Sequence, residues 1–140
     1  MKYRFPACSK AFGGKLPIEQ GFTILDLKGV GVSLLTPKVM GFLKIASNIA
    51  QNYYPEMLWN MMLINTTFFF KAIWAIVKHF VDEKTRAKII VEKSSYLKKL
   101  LEFVDKENLP AMFGGECKCE KFGGCLLSDI GPWNPDGGVQ

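Results

Sequence analysis

Met61-Met-Leu-Ile-Asn65 and, after Thr66 and Thr67, Phe68-Phe-Phe-Lys-Ala-Ile-Trp-Ala-Ile-Val-Lys-His-Phe80 decide the fold class of this chain. The first is a short apolar run that reads as a strand, and the second has the length of a helix. Thr66 or Thr67 is placed to cap that helix. The same alternation appears on both sides. Upstream, Phe22-Thr-Ile-Leu-Asp-Leu-Lys-Gly29 is a β-rich run stopped by glycine. Thr36-Pro37 reads as an N-cap followed by proline at the first helical position. Val39, Met40, Phe42, Leu43, Ile45, Ala46, Ile49 and Ala50 then follow helical spacing, and this helix ends near Asn52, before Pro55. Downstream, Lys88-Ile-Ile-Val91 is a third strand. Ser94 or Ser95 caps a helix ending near Asp105, with Leu97, Leu100, Leu101 and Val104 on one side. Strand, helix, strand, helix, strand, helix predicts an α/β fold with parallel strands and right-handed helical crossovers.

The chain has 140 residues, which fits one domain, 1–140. Hydrophobic residues make up 49%, and mean hydropathy is +0.10, at the high side for such a domain. Eleven Phe and three Trp supply bulk beyond what a small core requires. A net charge of +5 favours anionic surfaces. There is no run of five basic residues and no nucleic-acid motif, so DNA and RNA are excluded as partners. Cys8, Cys117, Cys119 and Cys125 are too sparse for a secreted disulfide scaffold, and the first ten residues are too polar for a signal peptide. A reduced, cytoplasmic chain is expected. The tail from Phe113 to Gln140 reads as irregular, with a short strand at Cys125–Leu127.

Between Met57 and Val77 only Lys71 is charged, which approaches the roughly 20 residues of a membrane span. Asn60, Asn65, Thr66, Thr67 and the lysine argue against one. The helical part, Phe68–Phe80, is about 20 Å long at 1.5 Å per residue, too short to cross a bilayer. Its apolar residues nevertheless surround the axis almost completely. Such a helix is buried on all sides or faces lipid. An ordinary core helix, a dimer contact and a lid over a lipid cavity all satisfy that pattern.

Several stretches, taken together and in order, resemble one family. They are Tyr3-Arg-Phe-Pro-Ala-Cys-Ser9, Thr23-Ile-Leu-Asp-Leu-Lys-Gly29, Ser47 to Glu56 with its Gln51-Asn-Tyr-Tyr-Pro-Glu56, and Met62–Asn65. Lys88 to Tyr96, Glu107-Asn-Leu-Pro110, Phe113-Gly-Gly115 and Leu127-Ser-Asp-Ile-Gly-Pro-Trp133 follow. The chain resembles the CRAL-TRIO lipid-binding domain, in its fungal-type phosphatidylinositol/phosphatidylcholine transfer group. The resemblance implies a mostly parallel sheet flanked by helices, flooring a hydrophobic lipid pocket with an apolar gating helix. Phe68, Phe69, Phe70, Ile73, Trp74, Ile76 and Val77 would be that gate and line the acyl chains. Glu56, Thr85 and Lys88 would bind the inositol phosphate headgroup, and Thr23 the phosphatidylcholine headgroup. Gly114 and Gly115 would lie in the gate's hinge region. The resemblance covers residues 3–133, in the family's C-terminal portion. The N-terminal helical module and the first part of the lipid lobe have no counterpart. Met57 replaces a basic residue and Gly21 a serine, which favours inositol lipid over phosphatidylcholine.

The function implied is transfer of phosphatidylinositol and phosphatidylcholine between membranes by a cytoplasmic protein, peripheral on Golgi or endosomal membranes. The partners are the phospholipid and a transient membrane surface, with no other cofactor. A module that senses or presents lipid without net transfer, or an inactive truncated fragment, is the alternative. An enzyme is not expected: His79 is the single histidine, and no nucleophile elbow or phosphate-binding glycine loop is present. Cys117-Lys-Cys119 with Cys125 lacks the paired spacing of a zinc site, so free cysteines and no metal are expected.

Overall fold

A computed structural model describes residues 3–136 except 32, 34, 35 and 55. Residues 20–96 form one compact unit, and the residues before and after that stretch form another.

Residues 20–96 hold the sheet. Strands β1 (Gly21–Asp26), β2 (Leu58–Ile64) and β3 (Ile89–Val91) are parallel and lie in the order β1-β2-β3. Parallel neighbours need long connections, and helices fill both of them. Helix α2 (Pro37–Tyr53) joins β1 to β2, and α3 (Phe70–Val77) with α4 (Glu83–Ala87) joins β2 to β3. This is the α/β alternation read from the sequence, with one helix more. Successive side chains of a strand point to opposite faces. Met62, Leu63 and Ile64 are consecutive and all buried, so the end of β2 is covered on both sides. Together they are the core of this unit among the described residues.

The strand ends are tied by short-range chemistry. Asp26 Oδ1 accepts from the Lys28 N–H at 2.9 Å and from Asn65 Nδ2 at 2.8 Å, joining the ends of β1 and β2. Asn65 takes the left-handed region (φ 55°), which asparagine tolerates. At the other end Trp59 is an extra residue against β1, and its ring meets Phe22 edge-on at 6.2 Å.

Thr36 caps α2 as its position predicts: its Oγ1 accepts from the Val39 N–H at 3.3 Å, and Pro37 occupies the first turn. The apolar residues of α2 divide between two stripes. Val39, Met40, Leu43 and Ala46 are half-buried, whereas Phe42, Ile45 and Ile49 are exposed.

Four local expectations are corrected. Neither Thr66 nor Thr67 caps α3, because the Thr66 hydroxyl donates to the Glu92 carbonyl and Thr67 contributes its main-chain oxygen to Phe70. Helix α4 is additional, capped by Asp82 Oδ1, which accepts from the Thr85 N–H at 2.9 Å. The last helix, α5, is regular only over Leu97–Leu100, since Glu102 and Phe103 shift to three-residue hydrogen-bond spacing. Cys125–Leu127 is a turn, not a strand, and the Leu127 N–H closes on the Gly124 carbonyl. The end of the expected irregular tail, 137–140, lies outside the described residues.

The other unit contains α1 (Arg4–Ala11), α5 and the segment to residue 136. Pro6 is tolerated in α1 because it sits in the first turn. Ser9 Oγ donates to the Phe5 carbonyl and accepts from the Ile18 N–H at 2.7 Å, fastening the following loop to the helix. Leu100 and Leu109 are fully buried here. Arg4 pairs with Asp129 at 2.9 Å and lies over the Trp133 ring, while Trp133 Nε1 donates to the same carboxylate.

Two outcomes follow from the sheet. Ile64→Ala should lower the unfolding free energy by about 2–5 kcal/mol, read from a urea midpoint. The bonds from Asn65 first, and then from Lys28, hold the Asp26 carboxyl below its ordinary range. Their stabilisation is present above about pH 4 and is lost as pH falls through the lowered value. Asn65→Ala should therefore move the Asp26 titration, followed by NMR, upward; an unmoved titration would refute the link.

Candidate functional site

Parallel pairing brings all three strand starts to one edge of the sheet, and two of the sequence-assigned polar residues, Glu56 and Lys88, meet there. Lys88 ends α4 and directly precedes β3. Its Nζ donates to the Leu58 carbonyl at the start of β2, at 2.7 Å, and stands 3.8 Å from Glu56 Oε2. The Lys88 carbonyl in turn accepts from the Met61 N–H at 2.9 Å. The lysine is thus held by β2 main chain at two points, Leu58 and Met61, and its side chain keeps 30% exposure.

Glu56 is placed by the backbone. It takes a left-handed conformation (φ 65°) unusual for a residue other than glycine, and its carbonyl accepts from Gln20 Nε2 at 2.9 Å. Its carboxylate is 75% exposed and presented to solvent beside the lysine. Thr85 lies within the turn before Lys88, and its carbonyl accepts from the Lys88 N–H at 3.0 Å. The Thr85 hydroxyl and N–H both bond to Asp82, and these bonds hold the Asp82 carboxyl below its ordinary value. A cation and a carboxylate therefore share one sheet edge, while the Thr85 hydroxyl is engaged with Asp82 in the preceding turn.

Thr23 stands apart from this group, on β1, with β2 between it and β3. The register places Thr23 beside Met61 and Ile89, and Leu25 beside Leu63 and Val91. Neighbours in register point to the same face. That face is apolar except for Thr23, and Leu25 and Val91 keep 46% and 41% exposure on it.

Helix α3 continues into a tighter turn at Lys78–Phe80, where His79 is exposed. No residue of α3 is fully buried. Phe70, Ile73, Trp74 and Val77 form a half-buried stripe, with the Phe70 and Trp74 rings stacked at 6.0 Å. Ile76, with Phe68 and Phe69 just before the helix, is exposed. The far end is anchored by Gln51 Nε2, which donates to the Phe80 carbonyl at 2.8 Å. Sequence reasoning missed this role of Gln51, which no local pattern signals. It also missed Asp82, for which the Asp-Glu start of a helix was an available signal.

In the other unit, Gly114 is left-handed (φ 89°). A side chain at Gly115 would strike the Leu109 carbonyl, so only glycine fits. Cys117, Cys119 and Cys125 lie on the segment that follows, with Cys117 and Cys119 sulfurs 3.4 Å apart and Cys117 and Cys125 sulfurs 3.7 Å apart. Desolvation first, then the bonds with Cys119 and Cys117, pushes the Cys125 thiol up to about 12, while the bond with Cys117 lowers that of Cys119.

The CRAL/TRIO domain matches residues 7–115, most of the chain. This chain belongs to the CRAL/TRIO domain family. Its relatives include the Sec14 cytosolic factor of Schizosaccharomyces pombe, 44% identical over 133 residues, covering 95% of this chain and 45% of that protein. The phosphatidylinositol/phosphatidylcholine transfer protein SFH11 of Arabidopsis thaliana is 40% identical over 137 residues, covering 98% of this chain and 36% of that protein. Among solved structures, the crystal structure of Sfh5 is similar at a TM-score of 0.55 and 30% identity, over 61% of this chain and 29% of that one. The CRAL/TRIO chain described here thus spans less than half the length of these curated relatives. No helix among its described residues is long and apolar enough to cross a membrane.

Proposed function

We propose that this CRAL/TRIO chain binds phosphatidylinositol and phosphatidylcholine and, as the C-terminal portion of a lipid lobe, serves their transfer between membranes. The observation that carries the reading is the partly exposed apolar sheet face, together with the Glu56 and Lys88 pair at the sheet's starting edge. The printed name of the plant relative, a phosphatidylinositol/phosphatidylcholine transfer protein, supports the lipid class.

The polar edge suits an inositol phosphate. Lys88 offers a compact charge to the phosphodiester, Glu56 accepts from ring hydroxyls, and the Thr85 hydroxyl, on leaving Asp82, donates to a phosphate oxygen. Thr23 is the hydroxyl for the choline lipid, on the open face. Carriage also demands cover for the acyl chains. Each buried methylene is worth about 0.8 kcal/mol, so two ordinary chains sum to roughly 20 kcal/mol. An open groove forfeits much of that, and a lid recovers it. Helix α3 is the gate in this reading: Phe70, Ile73, Trp74 and Val77 form its inner stripe, and Phe68, Phe69 and Ile76 are free to enter a membrane surface. Gly114 and Gly115 supply a close-packed turn in the hinge region. Reversible exchange needs no nucleophile or catalytic base, so the chain acts as a carrier and not an enzyme. Its place is the cytoplasm, peripheral on Golgi or endosomal membranes.

Mass spectrometry of an organic extract of the purified protein should find one of the two phospholipids; a lipid-free protein that fails to take up either from vesicles would overturn the reading. Lys88→Ala should weaken phosphatidylinositol binding more than phosphatidylcholine binding in a vesicle assay with labelled lipids, whereas equal loss of both would sink the headgroup assignment. Phe69→Asp with Ile73→Asp should block vesicle-to-vesicle exchange while circular dichroism stays unchanged. Unaltered exchange kinetics would exclude the gate.

A further inference from the structure

No step of lipid binding uses Cys117, Cys119 or Cys125, yet the fold gathers their sulfurs within 4.8 Å of one another. Three sulfurs held tetrahedrally at 2.3 Å from zinc stand about 3.8 Å apart. The Cys117–Cys125 distance of 3.7 Å meets that spacing, and the Cys117–Cys119 distance of 3.4 Å is a few tenths shorter. The linear spacing of these cysteines argues against a zinc site, but the chain path between them overrides it.

The backbone sets each sulfur. Cys117 is fixed by its N–H to the Leu109 carbonyl at 3.0 Å and by the Ala111 N–H to its own carbonyl at 2.8 Å. Cys119 turns the chain through a left-handed conformation (φ 47°), and Gly123 and Gly124 turn it again. The Gly124 N–H then closes on the Cys119 carbonyl at 3.1 Å and returns Cys125 to the other two.

A second observation concerns what holds this segment. From residue 110 to residue 136, no described apolar side chain is buried; Asn134 is the buried residue there. Short irregular segments without a core are commonly fixed by a metal or a cross-link. Three thiolates around one divalent ion carry one net negative charge, and Lys118, Glu120 and Lys121 in the same loop sum to one positive charge that balances it.

We propose that Cys117, Cys119 and Cys125 form a structural zinc site that pins the 110–136 segment. The three thiols release their protons to solvent on binding, and the ion takes their sulfurs as ligands. A water completes the fourth position.

The test uses the full chain purified under reducing conditions. Metal analysis should find about one zinc per chain. After removal of the metal, Co²⁺ titration should produce thiolate-to-cobalt charge-transfer absorption with the visible bands of a tetrahedral site. Cys125→Ser should lose that absorption, and Cys8→Ser should keep it. If Cys125→Ser fails to fold, competition between the unaltered apo chain and a chromophoric zinc chelator, with proton release measured alongside, decides the matter. Absence of thiolate-to-cobalt absorption in the reduced, unaltered chain overturns the proposal. So does intact mass showing a disulfide among the three cysteines in the protein as isolated.

Discussion

The parallel pairing of β2 with β1 on one side and β3 on the other is the constraint on which the 20–96 unit depends. A central parallel strand loses its backbone groups to two neighbours and its side chains to two covering layers. Met62, Leu63 and Ile64 meet both demands at once, because apolar residues in succession satisfy both faces. The helical connections are then obligatory, since parallel strands cannot be joined by a tight turn. Every strand consequently starts at the same edge, and Glu56 and Lys88 come to lie there, although 32 residue positions separate them in sequence (88 − 56).

The same pairing leaves one sheet face incompletely covered. Leu25 and Val91 flank Leu63 in register, and both remain exposed while Leu63 is buried. Exposed stripes recur on α2, through Phe42, Ile45 and Ile49, and around α3, through Phe68, Phe69 and Ile76. A protein that only had to fold would gain little from apolar side chains left in water. On the proposed function, lipid would cover this surface, at the expense of stability in the empty state.

Much of the fold was legible in the sequence. The apolar runs located all three strands to within a few residues, and Thr36-Pro37 marked the start of α2 through a cap that forms as expected. Reading failed where a residue had a stronger partner elsewhere. The Thr66 hydroxyl was available to cap α3 but bonds instead to the Glu92 carbonyl beyond β3, a contact that exists only once β2 and β3 are paired. The all-round apolar pattern of α3 was correct as a count. Which residues face inward became clear only from the half-buried stripe of Phe70, Ile73, Trp74 and Val77. For the candidate site, family resemblance proposed Glu56, Thr85, Lys88 and Thr23, and the structure brings Glu56 and Lys88 together. The Lys88 bond to the Leu58 carbonyl and the Gln51 anchor on Phe80 were not legible.

Local order was readable because it depends on neighbours along the chain: period, caps and turn residues act over three or four positions. Membership of the CRAL/TRIO family was readable for a related reason, since short motifs in a set order survive without coordinates. Contacts across long separations required the folded chain. Arg4 meets Asp129 and Trp133, and Lys88 meets the start of β2. No local propensity encodes these meetings, because each depends on how the intervening chain reverses and packs.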